Sequence, residues 1–320
     1  MPIVLHHSPR RDIHKRMEVT MYVVTGASGN TGRVVANHLL DQGKKVRVIG
    51  RSAERLHSFV ARGAEAFVAD MSDQAALSKA FSGAEGVYAM IPPSMTSQDY
   101  RGDQRRASDA IAGALEQAGV KHTVVLSSVG ADKQAGTGPV AGLHEFEKTL
   151  NRIAGLNVVH LRAGYFMENT LGQAAAIQAM GKAAGPLRGD LKLPMIATKD
   201  IGNKAAEWLL ALDFKGKQTR ELLGQRDLSM DEAVQIIGKA IEKPGLEYVQ
   251  LPDAMMQPIF VQMGMSPNLA GLILEMAKAL NSGHMRALEQ RSARNTTSTS
   301  FETFVQEEFL PVYREQTKAA

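Results

Sequence analysis

One eight-residue run constrains this chain more than any other: Thr25-Gly26-Ala27-Ser28-Gly29-Asn30-Thr31-Gly32. It follows a short apolar, β-rich segment, Met21–Thr25, and precedes a helical pattern through Val35, Leu39 and Leu40 that stops at Gly43. A glycine turn between a strand and a helix leaves free N–H groups at the helix start facing outward, where they attract an anion. Each glycine has a reason. Gly26 allows the tight turn, Gly29 lets backbone approach a pyrophosphate, and Gly32 permits close packing of helix on sheet. The turn predicts a dinucleotide site formed by Thr25, Gly26, Ser28, Gly29, Asn30, Thr31 and Gly32.

The rhythm behind the turn agrees. Short apolar runs at Lys45–Ile49, Ala66–Ala69, Val87–Ile91, Thr123–Ser127 and Asn157–Leu161 alternate with amphipathic helical stretches. Such runs belong to a parallel sheet covered on both faces, and right-handed crossovers make it doubly wound. The fold class is therefore α/β, a Rossmann-type sheet with a smaller, mainly helical C-terminal part. The expected division is an extension over 1–20, a dinucleotide-binding domain over 21–163, and a substrate-binding part over 164–320. Segments within about 194–223 are expected to return to the sheet. Thr299 and Glu302 suggest a capping box for a last helix.

Charge at the end of the second strand selects the cofactor. A free ribose 2′-hydroxyl usually meets an acid there. Here the chain reads Gly50-Arg51-Ser52, with no acid until Glu54. Arg51 can pair with a 2′-phosphate and Ser52 can donate to it, so NADP(H) is expected over NAD(H). Asp70 and Met71 after the third strand are placed at the adenine. Ile91 and Pro92 after the fourth are placed where the chain passes over the cofactor.

Composition excludes several other chemistries. The 320 residues include no cysteine, which removes thiolate metal sites, iron–sulfur clusters and cysteine nucleophiles, and no metal site is expected. A net charge of +4 and 5% aromatic residues give no basic, base-stacking surface, so no nucleic-acid partner is expected. No run of about 18 apolar residues suggests a membrane span. Residues 1–20 lack the apolar core of a secretory signal, so the expected location is cytoplasmic.

In this context the sequence resembles the short-chain dehydrogenase/reductase superfamily, but none of the six tyrosines is followed four residues later by lysine. The expected slot instead holds His144-Glu145-Phe146-Glu147-Lys148. With Leu161-Arg162-Ala163-Gly164-Tyr165-Phe166-Met167-Glu168-Asn169, this resembles the NmrA-like branch of atypical members. That resemblance implies a lysine, here Lys148, on the nicotinamide ribose, and a hydroxyl from Ser127 or Ser128 toward the nicotinamide. His144 occupies the slot of the superfamily's tyrosine. Imidazole can protonate a substrate oxygen near neutral pH, so His144, Lys148 and Ser128 are the candidate catalytic residues. Tyr165, Phe166, Met167 and Asn169 lie beyond the sixth strand, at the sheet edge where open α/β folds bind ligands, and are candidate substrate contacts. The resemblance implies an NADPH-dependent oxidoreductase acting on a small quinone-like, aromatic or carbonyl acceptor. The family also contains NADP-binding regulators that act on a protein partner without turnover.

Overall fold

The structure, a computed structural model, describes residues 20–319. The expected extension lies, but for Thr20, outside the described residues. Strands β1 (Met21–Thr25), β2 (Lys45–Gly50), β3 (Glu65–Val68), β4 (Ala84–Ala89), β5 (His122–Ser128) and β6 (Asn157–Ala163) are followed by β7 (Tyr165–Phe166), β8 (Ala183–Gly185), β9 (Leu193–Ile196), β10 (Lys217–Leu222), β11 (Arg226–Leu228) and β12 (Tyr248–Gln250). Seven strands form one parallel sheet in the order β10-β6-β5-β4-β1-β2-β3. The order reverses between β1 and β4, which opens a crevice beyond their carboxyl ends.

Side chains alternate across this sheet, as the strand period requires. Val24 and Val159 face one core with Val35 and Leu39 of α1 (Asn30–Asp41). Val23 and Val158 face the other core. There Leu77 and Phe81 of α3 (Gln74–Phe81), Ile111 of α4 (Tyr100–Gln117) and Phe146 of α5 (Val140–Asn151) cover them, with the short α2 (His57–Val60) preceding β3. After α6 (Gln173–Met180), helix α7 (Thr198–Ala211) packs beside α1. The approach is so close that a Cβ on Gly202 would lie 2.6 Å from Val34 Cβ. Both α7 and β10 thus belong to the main sheet's layers, although they lie far along the chain.

A third core joins Ile177 of α6 and Met195 of β9 to Val234 and Ile237 of α8 (Met230–Ala240) and Phe301 and Phe304 of α11 (Phe301–Phe304). Ser229 and Glu232 close a capping box at the start of α8. Helices α9 (Asp253–Gln262) and α10 (Pro267–Asn281) form a hairpin, and α12 (Leu310–Ala319) ends the described chain. Two small sheets, β11-β9-β7 and β12-β8, stiffen this part. The capping box expected at Thr299 does not form. Ser300 caps α11 instead, because the Thr299 hydroxyl is taken by Asp200 Oδ1 at 2.6 Å. Among the described residues, no helix is long and apolar enough to cross a membrane.

Candidate active site

The glycine turn sits at the strand-order reversal. Gly26 adopts φ +60°, the left-handed region that glycine enters without strain. A Cβ on Gly32 would lie 2.3 Å from the Gly26 carbonyl oxygen, so this position admits no side chain. Gly29 differs: its φ of −88° is ordinary, and a Cβ there would meet only Gly26 O, at 3.3 Å. No side chain caps the start of α1 and no acid lies in its first turn, leaving the first-turn N–H groups for an external anion. Ser28, Gly29 and Asn30 are exposed beside them. Thr25 and Thr31 are not. Thr25 Oγ1 accepts from Met90 N at 3.1 Å and Thr31 Oγ1 from the Tyr88 hydroxyl at 2.8 Å. These two hydroxyls fix the turn against β4 instead of reaching outward.

Beyond the ends of β2, β3 and β4 lies a polar hollow of about 280 Å³, bordered by Arg51, Asp70, Met71, Ile91 and Pro92. Hydrogen bonds from the Ser72 hydroxyl and N–H, with Arg51 nearby, hold the Asp70 carboxyl below its usual range. Ser52 is half-buried next to Arg51 and does not border the hollow. Arg106 on α4 does, and its guanidinium is turned between Asp103 and Asp99. Sequence reading missed it, since a basic residue inside a helix has no spacing relative to the glycine turn.

Beyond β4, β5 and β6 lies a larger, mainly apolar cavity of about 680 Å³. Its floor is Leu126, Ser127 and Ser128, and one wall is Tyr165, Phe166 and Asn169. Leu143 of α5, with Met276 and Leu280 of α10, forms the other side. Ile91 and Pro93 border both the cavity and the Arg51 hollow. The two spaces therefore adjoin at Ile91 and Pro93. Burial pushes the Tyr165 hydroxyl up to about 12, against a hydrogen bond with Asn169, so this phenol stays protonated at neutral pH.

Beneath the floor runs a buried polar chain. Ser127 Oγ donates to Glu147 Oε1 at 2.6 Å, and Arg162 binds the same carboxylate through Nε at 3.0 Å and Nη2 at 2.6 Å. Burial works against the charge of Arg162, but the Glu147 carboxylate raises its pKa above the ordinary value. Ser128 Oγ donates to Val129 O at 3.0 Å.

Three of the candidate residues lie away from the cavity. His144 and Lys148 do not border the cavity. They line a separate polar hollow with Arg105, Asp109 and Arg152 of α4 and α5. Each residue turns an α-helix by about 100°, so Leu143 and Glu147 face the sheet end while His144 and Lys148 are rotated away. The His144 ring is engaged through Nδ1 to Ala131 O at 2.8 Å, and Lys148 is exposed. Met167 is 1% exposed and packs in the third core. The chain turns into a 3₁₀ helix there, which directs Met167 inward.

The comparisons agree with this architecture. The model of the NmrA-like family matches residues 19–310. A (4-alkanoyl-5-oxo-2,5-dihydrofuran-3-yl)methyl phosphate reductase of Streptomyces griseus is 30% identical over 197 residues, 62% of this chain and 66% of that enzyme's length. An NAD(P)H azoreductase of Xenophilus azovorans is 26% identical over 256 residues, covering 80% and 86% of the two chains. Quinone oxidoreductase 2 of Escherichia coli is 27% identical over 259 residues, again 80% and 86%. The crystal structure of the E. coli NADPH-dependent quinone oxidoreductase QOR2 complexed with NADPH shares the fold with a TM-score of 0.76 at 24% identity, covering 91% of this chain and all of that one.

Proposed function

The chain belongs to the NmrA-like family, and from that premise we propose that it is an NADPH-dependent oxidoreductase. It reduces a small, flat quinone-like, aromatic or carbonyl acceptor bound in the cavity. The observation that carries this reading is that the Arg51 hollow and the apolar cavity adjoin, with Ile91 and Pro93 bordering both. That three sequence relatives are named as reductases or oxidoreductases supports it.

The residues present fit the dinucleotide. The uncapped start of α1 receives the pyrophosphate, with Gly29 giving it room. Arg51, which has no ion pair among the described residues, pairs with the 2′-phosphate. Met71 and Ile91 supply apolar contact to the adenine, with Asp70 as a hydrogen-bond acceptor. When bound, the reduced cofactor supplies the hydride.

The chain's own part is orientation and exclusion of water. The Ser127 hydroxyl donates its hydrogen bond to Glu147, so its oxygen has lone pairs left for an N–H donor such as a carboxamide. Tyr165, protonated across the working range, holds its hydrogen bond with Asn169 and walls the acceptor's side. Leu143 and Leu280 keep water from the face opposite the floor. A reduced quinone oxygen takes its proton from solvent at the cavity mouth, and no side chain needs to act as a strong acid.

The test is multiple-turnover NADPH oxidation followed at 340 nm against a panel of quinones and carbonyls. Sustained turnover with at least one quinone is expected. NADPH binding without turnover on any acceptor would contradict the enzyme assignment and favour a regulator that senses NADPH.

A further inference from the structure

The cavity is apolar within but charged at its rim. Lys192, Asp227, Arg286, Glu289 and Arg291 border it, and all but one are engaged. Lys192 pairs with Glu232, and Arg291 with Asp227 and the carbonyls of Leu223 and Gly224. Glu289 accepts from Glu221 N at 3.3 Å and Asn295 Nδ2 at 3.2 Å. Arg286 has neither an ion pair nor a side-chain hydrogen bond among the described residues, and it is exposed.

Arg286 is not carried on a loose loop. The preceding residue, Met285, is 4% exposed, and its N–H donates to Ala279 O at 2.9 Å. Its side chain fills the space above Gly130, where a Cβ would lie 2.7 Å from Met285 Cγ. Two and three residues beyond Arg286, the N–H groups of Leu288 and Glu289 donate to the Glu221 carboxylate at 2.9 Å and 2.8 Å. The backbone of Arg286 thus stands between two fixed points on the cavity edge. The glycine turn and Arg51, which would hold the cofactor's phosphates, do not border this cavity, so Arg286 is left for a different anion.

We propose that Arg286 binds an acidic substituent of the acceptor, so that the preferred substrates are flat apolar molecules carrying one carboxylate, sulfonate or phosphate. The planar fork of a guanidinium suits two oxygens of such a group, while the apolar walls take the ring. This rests on the cavity being the acceptor pocket, and deepens that reading by naming the substrate's charge.

The experiment separates the two claims. Calorimetric titration of the full chain loaded with NADP⁺ compares naphthalene-2-sulfonate with its neutral isostere, naphthalene-2-sulfonamide. The sulfonate should bind tighter by about tenfold or more, the scale of a hydrogen-bonded charge. Higher salt should shrink the difference, because the cation is exposed. Arg286→Gln should erase it, and Arg286→Lys should retain part of it. Equal affinities in the wild type, or a preference that survives Arg286→Gln, would overturn the proposal, as would failure of the sulfonate to bind. NADPH-dependent reduction of menadione, which is neutral, is measured in parallel. Turnover of menadione with no sulfonate preference sinks the anion site alone. A sulfonate preference without turnover of any acceptor supports the site and removes the oxidoreductase reading.

Discussion

The two ends of the groove are made from different materials. At the cofactor end, the glycine turn follows β1, and the hollow beside it is walled by residues just after strand ends, Arg51, Asp70 and Met71, with α4 adding Arg106. Backbone geometry does the work there, and side chains such as Thr25 and Thr31 only brace it. At the cavity end, Leu143, Tyr165, Leu280 and Arg286 converge from separate elements, over a buried pair of charges, Glu147 and Arg162. One end depends on local conformation, the other on tertiary packing. The contrast teaches that the cofactor grip can be broken without unfolding the chain, whereas the acceptor floor cannot.

The largest expected effect tests the packing end. Glu147→Ala leaves Arg162, whose side chain is 13% exposed, without its carboxylate. Stability should fall by about 3–5 kcal/mol, the usual result of orphaning one member of a buried ion pair, as read by urea denaturation. The same region should respond to acid. His160 on β6 is buried and bonded only through Nε2 to Asn151. Burial, opposed by Glu147 and reinforced by Arg162 and Lys217, lowers its pKa from 6.5 to about 4. The folded state therefore holds this ring neutral, while the unfolded chain takes up a proton below about 6.5. Its contribution is full above that pH and is lost as pH falls toward about 4, amounting to about 3 kcal/mol. Chemical denaturation across this range should show the decline, and His160→Gln should flatten it.

The turn end should fail in the other way. Gly29→Val places a side chain in the pyrophosphate's space at an ordinary φ, so NADPH affinity should drop on the order of 100-fold with the melting temperature nearly unchanged. A parallel loss of melting temperature would erase the contrast between the ends. Arg51→Ala should weaken NADPH by about tenfold and leave NADH alone, measured by fluorescence titration of both. The smallest effect belongs to His144→Ala. Away from the cavity, it should change kcat by less than a few-fold, against about 100-fold for a general acid, in steady-state NADPH oxidation with a quinone.

The same contrast explains what could be read from the sequence. The glycine turn, the alternating strands and Arg51 are consecutive residues, and local steric rules decode them. Helix α5 shows where that ends. Leu143, Phe146 and Leu150 are apolar at helical spacing, yet Leu143 opens onto the cavity while Phe146 and Leu150 are buried. The polar residue that reaches the sheet end is Glu147, four positions after Leu143, not His144. An acid beside that apolar stripe was a visible signal of a buried partner, but nothing local named Arg162. Met167 follows Tyr165 and Phe166 directly in sequence, but the 3₁₀ helix that begins there directs it inward. Arg286 had no signal at all, because its place depends on contacts with Glu221 and Gly130, far away in the chain.

A crystal structure of the full chain with NADPH bound tests the central claim, that one cofactor occupies both ends of the groove. The 2′-phosphate should lie against Arg51, the pyrophosphate at the start of α1, and the nicotinamide in the cavity beside Ser127, with Tyr165 across from it. A nicotinamide lying outside that cavity, against His144 and Lys148 or in solvent, would contradict it.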